Sequence, residues 1–151
     1  MTKIKKLGHV VLFVTDPKLS ASWYCDILGM EIVVFNEQIP GAFLSLNERD
    51  HDIALFKTPD NRKLGHVDVE HISFEIDGDA NDLKEFHQSL LDKGVEVLST
   101  VDHGVSYGTY FLDPDGHHLE VFYQIKPDDM ESKAEFKRIG AFAKPLDMNK
   151  I

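Results

Sequence analysis

Between residues 8 and 14 apolar and β-branched side chains run almost unbroken, which predicts a strand. The same pattern returns sixty-two positions later: His9-Val10-Val11-Leu12-Phe13-Val14 is matched by His71-Ile72-Ser73-Phe74-Glu75-Ile76. After the first copy, Asp16-Pro17 offers an N-cap and a proline suited to the first helical position. Leu19, Trp23 and Ile27 then recur at the spacing of one helix stripe, predicted to face the core, and Gly29 stops the helix. Strand-like runs follow at 31–35, 42–46 and 53–56.

After the second copy the order repeats. A strand over 70–76 leads to a helix over about 81–93 with Leu83, Phe86 and Leu90 inward, closed by Gly94. Strands are predicted near 95–100, 108–112 and 118–123, the last two joined by the tight-turn sequence Asp113-Pro114-Asp115-Gly116. A repeat of this length is a supersecondary unit that must bury its apolar face against something else. The predicted fold is therefore α+β, with two βαβββ modules in tandem forming a curled mixed sheet around a cleft. One domain is expected over 1–126, with module one at about 5–57 and module two at about 68–124. The tail, 127–151, carries a possible short helix around 130–139. Phe136, Ile139, Phe142 and Leu146 offer it contacts with either the domain or a partner subunit.

At 151 residues the chain is long enough for one domain to bury roughly two-thirds of its unfolded surface. Sixteen basic against 26 acidic residues give a net charge of −10, which argues against nucleic acid and anionic membrane surfaces as partners. No apolar run approaches the roughly 20 residues that cross a bilayer. The lone Cys25, read as a small buried hydrophobe, fits a reducing cytoplasm, so a cytoplasmic protein is expected.

The repeat also sorts the polar residues. His9 and His71 are equivalents, and at the fourth strand of each module the equivalents are Ala54 and Glu120. Two imidazoles and one carboxylate can thus converge from three strands, the ligand set of non-haem Fe(II) oxygenases. Taken singly, either histidine can be a hydrogen-bonded structural residue and Glu120 a solvent-facing one. Three protein ligands leave three positions of a six-coordinate ion vacant. Ala54 supplies no fourth donor, which suits a bidentate substrate together with dioxygen.

The repeat, the paired histidines and the closing Asp113-Pro114-Asp115-Gly116-His117-His118-Leu119-Glu120 resemble the vicinal oxygen chelate superfamily, across about residues 7–123. That superfamily includes glyoxalase I, fosfomycin and bleomycin resistance proteins, and extradiol ring-cleavage dioxygenases. The stretch from Phe43 to Ala54 and the succession His103, Tyr110, Glu120 are similar to the extradiol enzymes. Thr109 and Asp50 depart from their pattern, in ways expected to alter the substrate pocket.

The resemblance implies Fe(II), or Mn(II), held by His9, His71 and Glu120. It makes His51 the acid–base residue, with His103 and Tyr110 hydrogen-bonding substrate oxygens. A catecholic substrate and O2 are the implied partners, and a homodimer the implied assembly. Strict alternation from Ala54 turns His51 away from the cleft, so its role requires residues 48–52 to form a turn. His66 and His87 are expected to be solvated, His118 to approach the cleft mouth, and Arg49 and Arg62 to be available to a substrate carboxylate. Two alternatives remain: a glyoxalase-like isomerase or lyase, or a fosfomycin-type thiol transferase; and a metal-free small-molecule-binding protein of the bleomycin resistance type.

Overall fold

The computed structural model describes residues 8–38, 40–47, 50–59, 64, 69–126, 128–139 and 143–151. The chain divides into two compact units, Met1–Gly65 and His66–Ile151. The first contains β1 (Val10–Val14), α1 (Pro17–Leu28), β2 (Glu31–Asn36), β3 (Gly41–Ser45) and β4 (Ile53–Lys57). These strands form one sheet in the order β1-β4-β3-β2. The second contains β5 (Ile72–Glu75), α2 (Ala80–Asp92), β6 (Val97–Asp102), β7 (Ser106–Leu112) and β8 (His118–Gln124), then α3 (Asp129–Ile139) and β9 (Lys144–Pro145). Its sheet runs β5-β8-β7-β6-β9. In each unit the first strand lies parallel to the last strand of the βαβββ module and the remaining pairs are antiparallel. Two tandem modules, each with its own mixed sheet, are thus present.

Local chemistry fixes the element ends. The Asp16 carboxylate accepts from the amides of Lys18 and Leu19, and Pro17 occupies the first turn of α1. Gly29 ends that helix at φ 66°, a left-handed conformation that costs glycine little. Asp79 and Asp82 form a reciprocal capping box at the start of α2.

In the first unit Leu12, Val14, Leu44, Ile53 and Leu55 are buried together with Ala21 and Tyr24 of α1. The stripe Leu19, Trp23 and Ile27 is not the buried face. Leu19 is 70% exposed and the other two are half-buried, whereas Pro17, Ser20, Ala21 and Tyr24 are buried. Small side chains at 20 and 21 let the helix approach its neighbours closely, so size decides the facing side where hydrophobicity alone points one position away. In the second unit Leu83 and Leu90 are fully buried as expected, and Phe86 packs against the buried Phe111 at 5.9 Å between ring centroids.

The tail adds an element that the sequence pattern does not foretell. β9 pairs antiparallel with β6, Val101 opposite Pro145 and Asp102 opposite Lys144. The Leu146 amide donates to the Thr100 carbonyl at 3.0 Å, and the Thr100 hydroxyl donates to the Leu146 carbonyl at 2.6 Å. A proline is tolerable here because β9 lies at the edge of the sheet. No described residue of α3 is buried, and Phe136 is exposed; Phe142 lies outside the described residues.

The turn between β7 and β8 is clasped from within. The Asp113 carboxylate accepts from the amides of Asp115 and His117 and pairs with His117 Nδ1 at 2.8 Å. Burial works to lower the His117 pKa, but the Asp113 hydrogen bond and charge, helped by Asp115, outweigh it and raise it. A pKa raised by folding stabilises the native state below the ordinary histidine value, and that contribution fades as pH rises through the raised value. The His117 contribution to the melting temperature is therefore expected to fall as pH is raised from just below to above the histidine range, against the opposite contribution of the half-buried His87. His117→Asn should flatten that slope, as read by calorimetry across pH.

Candidate functional site

His9 stands immediately before β1 and is exposed. The Val10 amide donates to the Asp52 carbonyl at 3.0 Å, tying this entry to the start of β4. Asp52 turns inward to cap a bend: its carboxylate accepts from the Leu46 amide at 2.9 Å and from the Ser45 hydroxyl at 3.3 Å. β4 begins only at Ile53, so residues 50–52 escape strict alternation. His51 is thereby carried beside His9, with ring centroids 4.4 Å apart, and its ring meets Phe43 edge-on at 5.3 Å. Asp50, the departure noted in the sequence, places its carboxylate 3.2 Å from His51 Nδ1. Its pKa is lowered, first by the His51 backbone amide and further by the His51 ring.

The second unit gathers the remaining candidates. His71 precedes β5, and Glu120 lies in β8, between β5 and β7, where register sets it opposite both Ser73 and Tyr110. Glu120 is 5% exposed. His71 Nδ1 contacts the Glu70 carboxylate, while His71 Nε2 faces Glu120 Oε2 at 3.4 Å. His103 Nε2 lies 3.0 Å from the Tyr110 hydroxyl and 3.8 Å from Glu120 Oε1. Its loop is fastened by the His103 amide to the Ser106 carbonyl and by the Gly104 amide to Asp102 Oδ1. Burial, and then the Glu120 carboxylate, push the Tyr110 phenol above its ordinary pKa. Tyr110 is thus held as a neutral donor.

Three residues that complete this arrangement escape sequence reasoning. The Ser73 hydroxyl donates to Glu120 Oε2. Gly108 lies beneath the same side chain, where a Cβ would collide with Oε1. Glu70 holds the far nitrogen of His71, leaving Nε2 on the Glu120 side. The available signal was positional: Ser73 is two residues beyond His71 and so shares its strand face. Beside these groups opens a wide-mouthed pocket of about 330 Å³, lined by His71, Leu98, Ser99, Val101, Tyr110 and His118. His118 thus reaches the pocket of its own unit.

Other expectations resolve differently. Thr109 is fully buried and hydrogen-bonds His87 of α2 at 3.0 Å, so it serves the helix-facing side of the sheet and not the pocket. His87 is correspondingly not a solvated histidine: burial lowers its pKa, and its place one turn after Leu83 gave the signal. Burial raises the pKa of the half-buried Cys25 thiol. His66, Arg49 and Arg62 lie outside the described residues.

The donor set in the second unit fits a divalent cation. A carboxylate buried to this degree costs several kcal/mol unless it is compensated. The neighbours named here are two imidazoles and two hydroxyls, and imidazole with carboxylate is a common pairing on Fe, Mn and Zn. Among the described residues no three His, Cys, Asp or Glu side chains gather as a ligand group. In the second unit the buried Glu120 carboxylate and His71 Nε2, 3.4 Å apart, are the pair of donors present.

Tandem βαβββ modules, a histidine entering each and a buried glutamate on the closing strand, define the class of fold. The chain belongs to the glyoxalase/bleomycin resistance protein/dioxygenase superfamily, whose model matches residues 6–121. It is 31% identical over 124 residues to biphenyl-2,3-diol 1,2-dioxygenase 2 of Rhodococcus globerulus, covering 80% of this chain and 64% of that protein. The chain thus spans just under two-thirds of that relative's length. It is 30% identical over 141 residues to the metallothiol transferase FosB of Staphylococcus saprophyticus, covering 89% of this chain and 87% of that one. In fold it is similar to the fosfomycin resistance protein FosX of Listeria monocytogenes complexed with Mn(II) and sulfate, with a TM-score of 0.67 at 20% identity over 91% of this chain and 99% of that one. Among the described residues no helix is long and apolar enough to cross a membrane.

Proposed function

We propose that the protein is an Fe(II)-dependent extradiol dioxygenase that opens a catecholic ring with O2, with Mn(II) as the other metal this ligand set accepts. The observation that carries the reading is the joint presence of His51 beside His9 and of His103 and Tyr110 beside Glu120. These are groups beyond a bare metal site, and ring cleavage has uses for them. Support also comes from the likeness to a biphenyl-2,3-diol dioxygenase.

In this reading His9, His71 and Glu120 hold the metal. The bound metal supplies a common coordination sphere for a deprotonated diol and O2. His51 accepts a catechol hydroxyl proton and later returns a proton to an oxygen of the opening ring. Tyr110, kept protonated, donates to a substrate oxygen, and His103 orients that phenol. Glu70 and Asp50, each on the Nδ1 side of its histidine, set which nitrogen is offered. The carbon–carbon bond beside the diol breaks and both oxygen atoms enter a semialdehyde-type product.

The fosfomycin-type thiol transferase is the second reading, favoured by the 87% coverage of FosB. It leaves His51, His103 and Tyr110 without employment. Anaerobic loading with Fe(II), then a panel of catechols in an oxygen electrode, separates the two. The expected result is about one O2 consumed per catechol with a coloured ring-fission product. Consumption of a thiol with fosfomycin, and none of O2 with any catechol, would overturn the proposal.

A further inference from the structure

The two modules offer an internal comparison at the carboxylate. Across the first sheet, one row of register partners reads Val11, Ala54, Phe43. Across the second, the equivalent row reads Ser73, Glu120, Tyr110. The backbone places are the same; the chemistry differs at all three. Where the middle strand carries a methyl group, its neighbours are a valine and a phenyl ring. Where it carries a carboxylate, each neighbour carries a hydroxyl.

We infer that Ser73 is a positioning residue for the metal ligand Glu120, and the inference rests on the proposed metal site. The Ser73 hydroxyl donates to Glu120 Oε2, the same oxygen that faces His71 Nε2 at 3.4 Å. On the other side Gly108 leaves the space that Oε1 fills. The carboxylate is therefore braced on one oxygen by a donor and seated at the other by a missing side chain. This fixes a terminal torsion that is otherwise broad and roughly two-fold. A carboxylate oxygen keeps lone pairs after accepting one hydrogen bond, so the brace orients Glu120 without using up its capacity as a ligand.

Second partners of this kind typically change metal affinity by roughly 10–100-fold. The test is Mn(II) and Fe(II) titration of the metal-free full-length chain, wild type against Ser73→Ala and Ser73→Thr, with melting of the metal-free proteins alongside. Ser73→Ala is expected to weaken Mn(II) binding by about 10-fold or more. Its metal-free melting temperature should stay within a few degrees of wild type, because the residue is exposed. Ser73→Thr, which keeps the hydroxyl, should restore most of the affinity. Equal Mn(II) affinity in wild type and Ser73→Ala overturns the inference while leaving the metal site standing. A wild-type chain that binds neither metal overturns the proposed function itself.

Discussion

Glu120→Ala is expected to abolish stoichiometric metal binding and lower catechol-dependent oxygen uptake by well over 100-fold, beyond what loss of an outer partner costs. The same substitution should leave the metal-free protein as stable as wild type, or more so. The reason lies in the repeat. Position 120 corresponds to Ala54, which sits 1% exposed between Val11 and Phe43. Alanine at 120 therefore has a worked precedent in this chain. Removing a buried carboxylate also removes its desolvation cost, which offsets the packing lost with the longer side chain. Ser73 is exposed and Tyr110 half-buried, so water can satisfy the hydroxyls left behind. Metal analysis, an oxygen electrode and calorimetry read the three quantities together. Metal content and turnover near wild type would end the case for Glu120 as a ligand. A fall in melting temperature of more than about 5 °C, roughly 1–2.5 kcal/mol for a chain of this length, would make the glutamate structural instead.

The opposition between stability and function at Glu120 explains what could be read from the sequence. The strand and helix order was legible because each module repeats its period and its punctuation: Asp16-Pro17 opens the first helix, and Gly29 and Gly94 follow the two. His9, His71 and Glu120 stood out because the repeat isolates polar residues at places where its other copy, or the strand pattern, calls for apolar ones. What failed was whatever depends on distance. The buried face of α1 is set by how closely Ser20 and Ala21 allow the helix to approach, and no hydrophobicity count contains that. β9 spans only two residues, too short for any alternation, and is held by backbone bonds from Leu146 to Thr100. Ser73 and Gly108 matter through cross-strand register, which a linear reading leaves unassigned. Thr109 was misjudged for a related reason: next to Tyr110 in sequence, it points to the opposite face and bonds His87.

His51 is the clearest instance of a bend overruling alternation, and it carries the second large effect. Replacing it with glutamine is expected to lower kcat by on the order of 10²–10⁴, the usual worth of a positioned general acid or base, with metal content unchanged. Glutamine is the informative choice because the ring packs edge-on against Phe43 and stacks beside His9. Truncation to alanine would open space there and confuse catalysis with packing. The position itself depends on Asp52, whose carboxylate holds the bend at Leu46 and Ser45. Asp52→Ala should consequently release His51 and reduce kcat without touching a ligand, and its effect combined with His51→Gln should be far less than the product of the two. Metal analysis and single-turnover kinetics under saturating O2 measure this. If Asp52→Ala and His51→Gln multiply independently, the bend is not what places the imidazole. If His51→Gln turns over catechol within a few-fold of wild type, proton transfer belongs to another group, and His51 is a packing residue beside His9.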